Sequence, residues 1–136
     1  MIRVVLLDGV SRQVIEPVCS LVAEDAVGQF GLLSGCEPFT TMAEPGLFRY
    51  RASPEGAWRF GASAGGLFQC GRSEGVTEAR WVSRRFLLGD DPAQLAQALS
   101  EAMAREQTIR VSARDTHAQL EMAWMRRMQA WMQGAT

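Results

Sequence analysis

The chain has 136 residues, enough for one domain of ordinary size or a small domain with an appendage. Its 47% hydrophobic and 21% charged residues allow a sizeable core and argue against wholesale disorder. A net charge of −1, with all 14 basic residues arginine, gives no whole-chain electrostatic case for nucleic acid.

The N-terminal "MIRVVLLDGVSRQ" lacks the length and small-residue cleavage site of a signal peptide. No window approaches the roughly 18 apolar residues of a membrane span, so any membrane association is expected through a partner. Three cysteines, Cys19, Cys36 and Cys70, stand at wide, unrelated spacings. That pattern argues against a disulfide framework or zinc site and for a reducing setting.

Up to Gly89, Gly and Pro punctuate short apolar runs, as in a sandwich or barrel. "IRVVLLD" predicts a first strand. "RQVIEPVCSLVAE" predicts strand in which Pro17 restricts the chain to an edge or a bulge. "PFTTMAE" is a short strand ended by Pro45-Gly46. "GLFRYRAS" alternates Leu47, Arg49 and Arg51 against Phe48 and Tyr50, predicting one polar and one apolar face. "SPEG" is a turn, after which "AWRFGAS" returns as a hairpin partner. "AGGLFQCG" and "GVTEARWVSRRFLL" supply the remaining strands. About ten short strands with tight turns predict an antiparallel β-sandwich over residues 1–88.

From residue 89 the period becomes helical. "DDPAQLAQALSEAMAREQ" offers Asp90 or Asp91 as N-cap and Pro92 at the first helical position. Leu95, Leu99, Ala102 and Met103 form one stripe. A second stretch, roughly 109–133, carries Leu120, Trp124, Met128 and Trp131 on one face, widened by Met125 and Met132, with Gly134 as a stop. With "REQT" read as a connection, residues 89–136 predict a helical hairpin.

Residues of chemical potential are few. Without lysine there is no phosphate-binding loop of the Gly-x-x-x-x-Gly-Lys-Ser/Thr type. His117 is the single histidine, and it reads as a helix position rather than a ligand or triad member. Cys36 and Cys70 are nucleophiles in principle, small buried thiols in the plainer reading. Glu24 and Asp25, adjacent in a strand, point to opposite faces and make no acid–base dyad. Arg110, Arg114, Arg126 and Arg127 against Asp115 and Glu121 leave the last helical stretch near +2. A solvated face accounts for that, and so does docking on an acidic partner. The large apolar residues of the same stretch suit either core packing or a helix that binds another surface. No catalytic residue, cofactor or metal site is expected.

Three stretches together resemble the epsilon subunit of F-type ATP synthases: "GQFGLLSGCEP" at 28–38, "EPGLFRYR" at 44–51 and "SAGGLFQC" at 63–70. They match, in order and spacing, that family's Gly-rich stretch ending in Pro-Gly-His-x-Pro, its Pro-Gly-x-x-x-x-Arg element and its Ser-Gly-Gly strand. The likeness covers residues 2 to about 85 and extends to the helical part by layout only. It implies a β-sandwich followed by two helices, in a non-catalytic rotor subunit. That subunit would sit between the gamma subunit and the c-ring, at the cytoplasmic face of the cell membrane and peripheral to it. By motif, Gly28, Gln29, Phe30, Gly31, Leu32, Leu33, Ser34, Gly35, Cys36, Glu37 and Pro38 would form the loop facing the c-ring. By helix location, Arg110, Arg114, Leu120, Trp124, Arg126, Arg127, Met128 and Trp131 would contact the catalytic beta subunits, where such helices inhibit ATP hydrolysis. Ser34 replaces the family's proline and Cys36 its histidine. The helix opening "GDDPAQLAQAL" lacks the arginine of the family's ATP-binding motif, so no nucleotide is expected. These departures suggest a divergent branch, such as the sodium-type operons. A reading from another class stays open: a small-ligand or carbohydrate-binding β-sandwich with a helical dimerisation hairpin. A cysteine enzyme is a third.

Overall fold

A computed structural model of the chain describes residues 1–134. The Gly- and Pro-punctuated part folds as ten strands. β1 (Ile2–Leu7) and β2 (Arg12–Val18) form an antiparallel hairpin. Asp8 holds its turn, accepting the backbone N–H groups of Val10 at 2.9 Å and Ser11 at 2.7 Å. β3 (Ser20–Asp25) and β4 (Gly28–Leu33) repeat the device, with Asp25 accepting the N–H of Val27 at 3.0 Å. Then follow β5 (Phe39–Ala43), β6 (Gly46–Arg51), β7 (Arg59–Ser63), β8 (Gly66–Ser73), β9 (Val76–Val82) and β10 (Phe86–Gly89). Pro17 lies in β2, an edge strand where a missing N–H costs no ladder bond.

All ten belong to one sheet, in the lateral order β10-β7-β6-β3-β5-β8-β9-β1-β2, with β4 paired to β3 off that path. β6 and β9 are four places apart, about 19 Å if the sheet were flat. Yet the rings of Phe48 on β6 and Trp81 on β9 have centroids 4.8 Å apart. The sheet therefore curls over so that its inner face closes on itself. Trp81, 1% exposed, also meets Phe68 at 5.4 Å and Phe86 at 5.4 Å. Phe30, Phe39 and Phe68 form a second set of mutual ring contacts. These rings and Ile2, Val4, Leu6, Val18, Leu21 and Leu32 make the core.

The expectation of a wholly antiparallel sandwich needs correcting on one point. β1 pairs β9 in parallel, from Ile2↔Thr77 to Leu7↔Val82, and all other pairings are antiparallel. The architecture is one curled, mostly antiparallel sheet.

The expected helical hairpin is not formed. A single helix, α1 (Pro92–Gly134), runs through "REQT" without interruption. The reason is compositional: residues 93–133 contain neither Gly nor Pro, and Arg, Glu and Gln are good helix formers. Thr108, the least favourable of the four, donates its hydroxyl to the Ala104 carbonyl at 3.0 Å, a bond compatible with continued helix. The N-terminus is as expected. Asp91 Oδ1 accepts the N–H of Ala93 at 3.0 Å, with Pro92 opening the helix. At 1.5 Å per residue, 43 residues extend about 64 Å.

The chain divides into two compact units, Met1–Ser100 and Glu101 onward. The first includes the opening turns of α1, where Leu95 and Leu99 are buried and Leu95 lies over Gly89.

Candidate partner interfaces

Of the stretch 28–38, the part Gly28–Leu33 is strand β4 rather than loop. Phe30 and Leu32 point into the core while Gln29, Gly31 and Leu33 face outward. Only residues 34–38 form a connection, and it is tied down from several sides. Gly35, at φ 79°, donates its N–H to the buried Thr77 hydroxyl at 3.0 Å. Cys36 N–H donates to the Leu33 carbonyl at 3.2 Å. The Ser34 hydroxyl accepts from the N-terminal ammonium at 3.0 Å. This end of the sheet exposes Met1 and Leu33, and Glu37 of the connection is also exposed.

A second surface went unnoticed in the sequence. Met42 on β5 pairs with Leu67 on β8, Leu67 with Val82 on β9, and Val82 with Leu7 on β1. Directly paired residues share a face, so these four side chains form one row across four strands. Met42 is 62% exposed, Leu67 and Val82 are also exposed, and Leu7 is half-buried. The row lies at the end of the sheet opposite residues 34–38, because β1 runs from one end to the other. Each residue occupies an outward position in its strand, a signal that surfaces only when four separated strands are aligned.

On β6, the polar face predicted from "GLFRYR" carries Arg49 and Arg51. Their guanidinium carbons lie 4.8 Å and 4.5 Å from the centroid of the Trp58 ring, a two-armed cation–π stack. Trp58 stands across the "SPEG" turn from both, and that local proximity was readable from the order of residues.

In the second unit, Leu120, Trp124, Met128 and Trp131 are exposed, Trp124 at 63% and Trp131 at 73%. At 100° per residue, Leu120, Trp124 and Trp131 fall within about 40° of one another, and Met128 about 80° from Leu120. Arg127 flanks this face on one side at about 20°, Arg110 and Arg114 on the other at about 80° and 120°. Arg126 lies about 120° from Leu120 on the Arg127 side. His117, expected at a structural helix position, is an exposed partner of Glu121 at 3.0 Å.

Among the described residues no group of three His, Cys, Asp or Glu side chains is placed to hold a metal ion. Burial, then the neighbouring Cys36, pushes the Cys70 thiol up to about 12, so that it rests protonated near neutral pH. Asp25 is held below the usual carboxylate range by the Thr41 hydroxyl at 2.9 Å and the Val27 N–H, a turn-fixing role. Phe30, Phe39, Phe48, Phe68, Trp81 and Phe86 contact one another around the core instead of lining a sugar-binding cleft.

No family model matches the chain. Over 96 residues it is 40% identical to a protein of Cereibacter sphaeroides named ATP synthase epsilon chain 2, covering 70% of this chain and 63% of that one. A Paraburkholderia xenovorans protein of the same name is 34% identical over 90 residues, covering 66% of this chain and 62% of that one. The match thus spans less than two thirds of these relatives' length. Among solved structures, a chain of the Tetrahymena thermophila mitochondrial ATP synthase central stalk/c-ring superposes with a TM-score of 0.51 at 10% identity. The superposition covers 63% of this chain and 65% of that one. A chain of the Euglena gracilis mitochondrial ATP synthase OSCP/F1/c-ring assembly gives 0.54 at 21% identity, covering 76% and 64%. At such identities the structural likeness is one of fold. The sequence likeness is thus to two proteins named ATP synthase epsilon chain 2, at 40% and 34% identity over 70% and 66% of this chain.

Proposed function

We propose that the chain is a non-catalytic central-stalk subunit of an F-type ATP synthase, joining a gamma subunit to the c-ring in ATP synthesis and ion transport. The observation that carries this reading is the 40% identity to an ATP synthase epsilon chain over 70% of the chain. The two ends of the sheet suit a subunit that lies between partners. Residues 28–38 supply a firmly held surface for the c-ring, and the Met42–Leu67–Val82 row a second apolar contact. Among the described residues no helix is long and apolar enough to cross a membrane, so contact with the membrane would come through the complex.

Within the same proposal, the C-terminal helix restrains ATP hydrolysis by binding the catalytic beta subunits. Leu120, Trp124 and Trp131 would be the apolar anchors, and Arg127, Arg110 and Arg114 the flanking cations for an acidic surface.

Co-purification with the gamma subunit tests the first part: a stable complex is expected, and none at micromolar concentration would overturn it. Truncation after Ser100 tests the second, because it leaves Leu95 and Leu99 in place to complete the strand unit. The assembled enzyme should then hydrolyse ATP faster; an unchanged rate would refute inhibition.

A further inference from the structure

One pair of reactive groups lies close together with no role in the reading above. Cys36 and Cys70 are both free thiols, 34 residues apart in sequence, with their sulfurs 3.2 Å apart. A disulfide needs about 2.05 Å, so the sulfurs must approach by little more than 1 Å. Cys70 is fixed within β8, 2% exposed, its position in register with Phe39 of β5. Cys36 sits in the 34–38 turn, where bonds from its own N–H and from Gly35 hold the backbone in place. The pair is therefore preorganised from both sides.

We propose that Cys36 and Cys70 form a reversible intrachain disulfide that responds to peroxide. Two features set the order of events. Cys36 is the partly exposed member, and Cys70 is buried with its thiol pushed up to about 12. A groove of about 390 Å³, lined by Cys70 with Pro38, Arg72, Glu78 and Arg80, opens on the Cys70 side of the pair and gives the released water a way out.

The Cys36 sulfur attacks one peroxide oxygen, the O–O bond breaks, and Cys36 becomes a sulfenic acid with release of water. The Cys70 sulfur then attacks the Cys36 sulfur. The S–O bond breaks, and the Cys70 proton leaves with the hydroxyl as a second water. Two thiols are oxidised, one peroxide is reduced, and a small dithiol reverses the reaction by exchange. The bond itself does not depend on the stalk-subunit reading. It would clamp the 34–38 turn to β8 and close a loop of the intervening chain.

The test is peroxide treatment of the full-length chain, followed by alkylation and peptide mapping without reduction. Expected is one cross-linked peptide pair containing Cys36 and Cys70. One alkylated thiol, Cys19, then remains of the three. The mass falls by two hydrogen atoms per chain, and a dithiol restores all three thiols. The oxidised chain should melt several degrees higher, whereas peroxide-treated Cys36→Ser shows neither cross-link nor shift. The proposal is overturned if peroxide carries Cys36 on to sulfinic or sulfonic acid while Cys70 stays reduced. Disulfides that form only through Cys19 or only between chains overturn it equally.

Discussion

Gly66 opens β8 at φ 106°, in backbone space that side chains rarely enter. A Cβ added there would stand 2.0 Å from the Val82 carbonyl oxygen, 3.0 Å from the Val82 carbonyl carbon and 3.1 Å from the Ser83 Cα. All three are backbone atoms, so no side chain can swing away. Val82 is paired on both sides, with Leu67 and with Leu7, and moving it disturbs two ladders. Gly66→Ala therefore carries about 1–3 kcal/mol of backbone strain and a further 1–3 kcal/mol, roughly, for the displacement. Gly71, five residues on in the same strand, has nothing within 4 Å of its added Cβ and no left-handed φ. There Gly→Ala should stabilise by about 0.4–1 kcal/mol through the unfolded chain. The expected gap between the two variants is roughly 4 kcal/mol, a large part of an ordinary domain's stability. Urea unfolding followed by the fluorescence of buried Trp81 measures it. Unfolding free energies within about 1 kcal/mol of each other would refute the steric argument.

Three further outcomes are expected. Leu67→Glu, at the centre of the exposed row, should change stability by no more than about 0.5 kcal/mol. It should nonetheless weaken co-purification with the stalk partners at least tenfold, and wild-type recovery would remove the row from the interface. Asp25 has its pKa depressed by Thr41 and Val27, so its contribution is present above the unfolded value of about 3.9 and is lost as pH falls through the folded pKa. Thermal melts of Asp25→Asn across that acid window should decline less steeply than wild type, and parallel curves would count against the assignment. Ala113→Pro, in the middle of α1, should break the helix at a cost of about 3 kcal/mol. Circular dichroism should show a loss of helical signal while the β-sheet unit melts unchanged; an unaltered helical signal would mean that α1 is not continuous there.

Local patterning carried most of the strand layout. The alternation in "GLFRYR" matches the buried Phe48 and Tyr50 of β6, Pro17 falls on an edge, and Asp91-Pro92 starts the helix. Period-two alternation was equally present in "GQFGLL", where Phe30 and Leu32 turn inward, but the glycines drew attention to turns and hid a strand. "REQT" misled for the opposite reason: it is polar enough for a connection, yet nothing in it breaks a helix. The parallel pairing of β1 with β9, the Leu7-to-Met42 row and the approach of Cys36 to Cys70 depend on chain segments far apart in sequence. No local period reports such contacts, so the proposed partner surfaces were less legible than the elements bearing them.

The position of β1 bears on how the protein emerges from the ribosome. Val4, Val5 and Leu6 are among the most deeply buried residues, yet one side of their strand waits for residues 75 positions later. Until β9 has left the exit tunnel, the β1–β2 hairpin has an open apolar edge able to pair with any other strand. Long-range closure of this kind slows folding. A chain ending before residue 76 would thus be prone to aggregate, whereas one ending just past residue 100 holds every strand of the sheet once released.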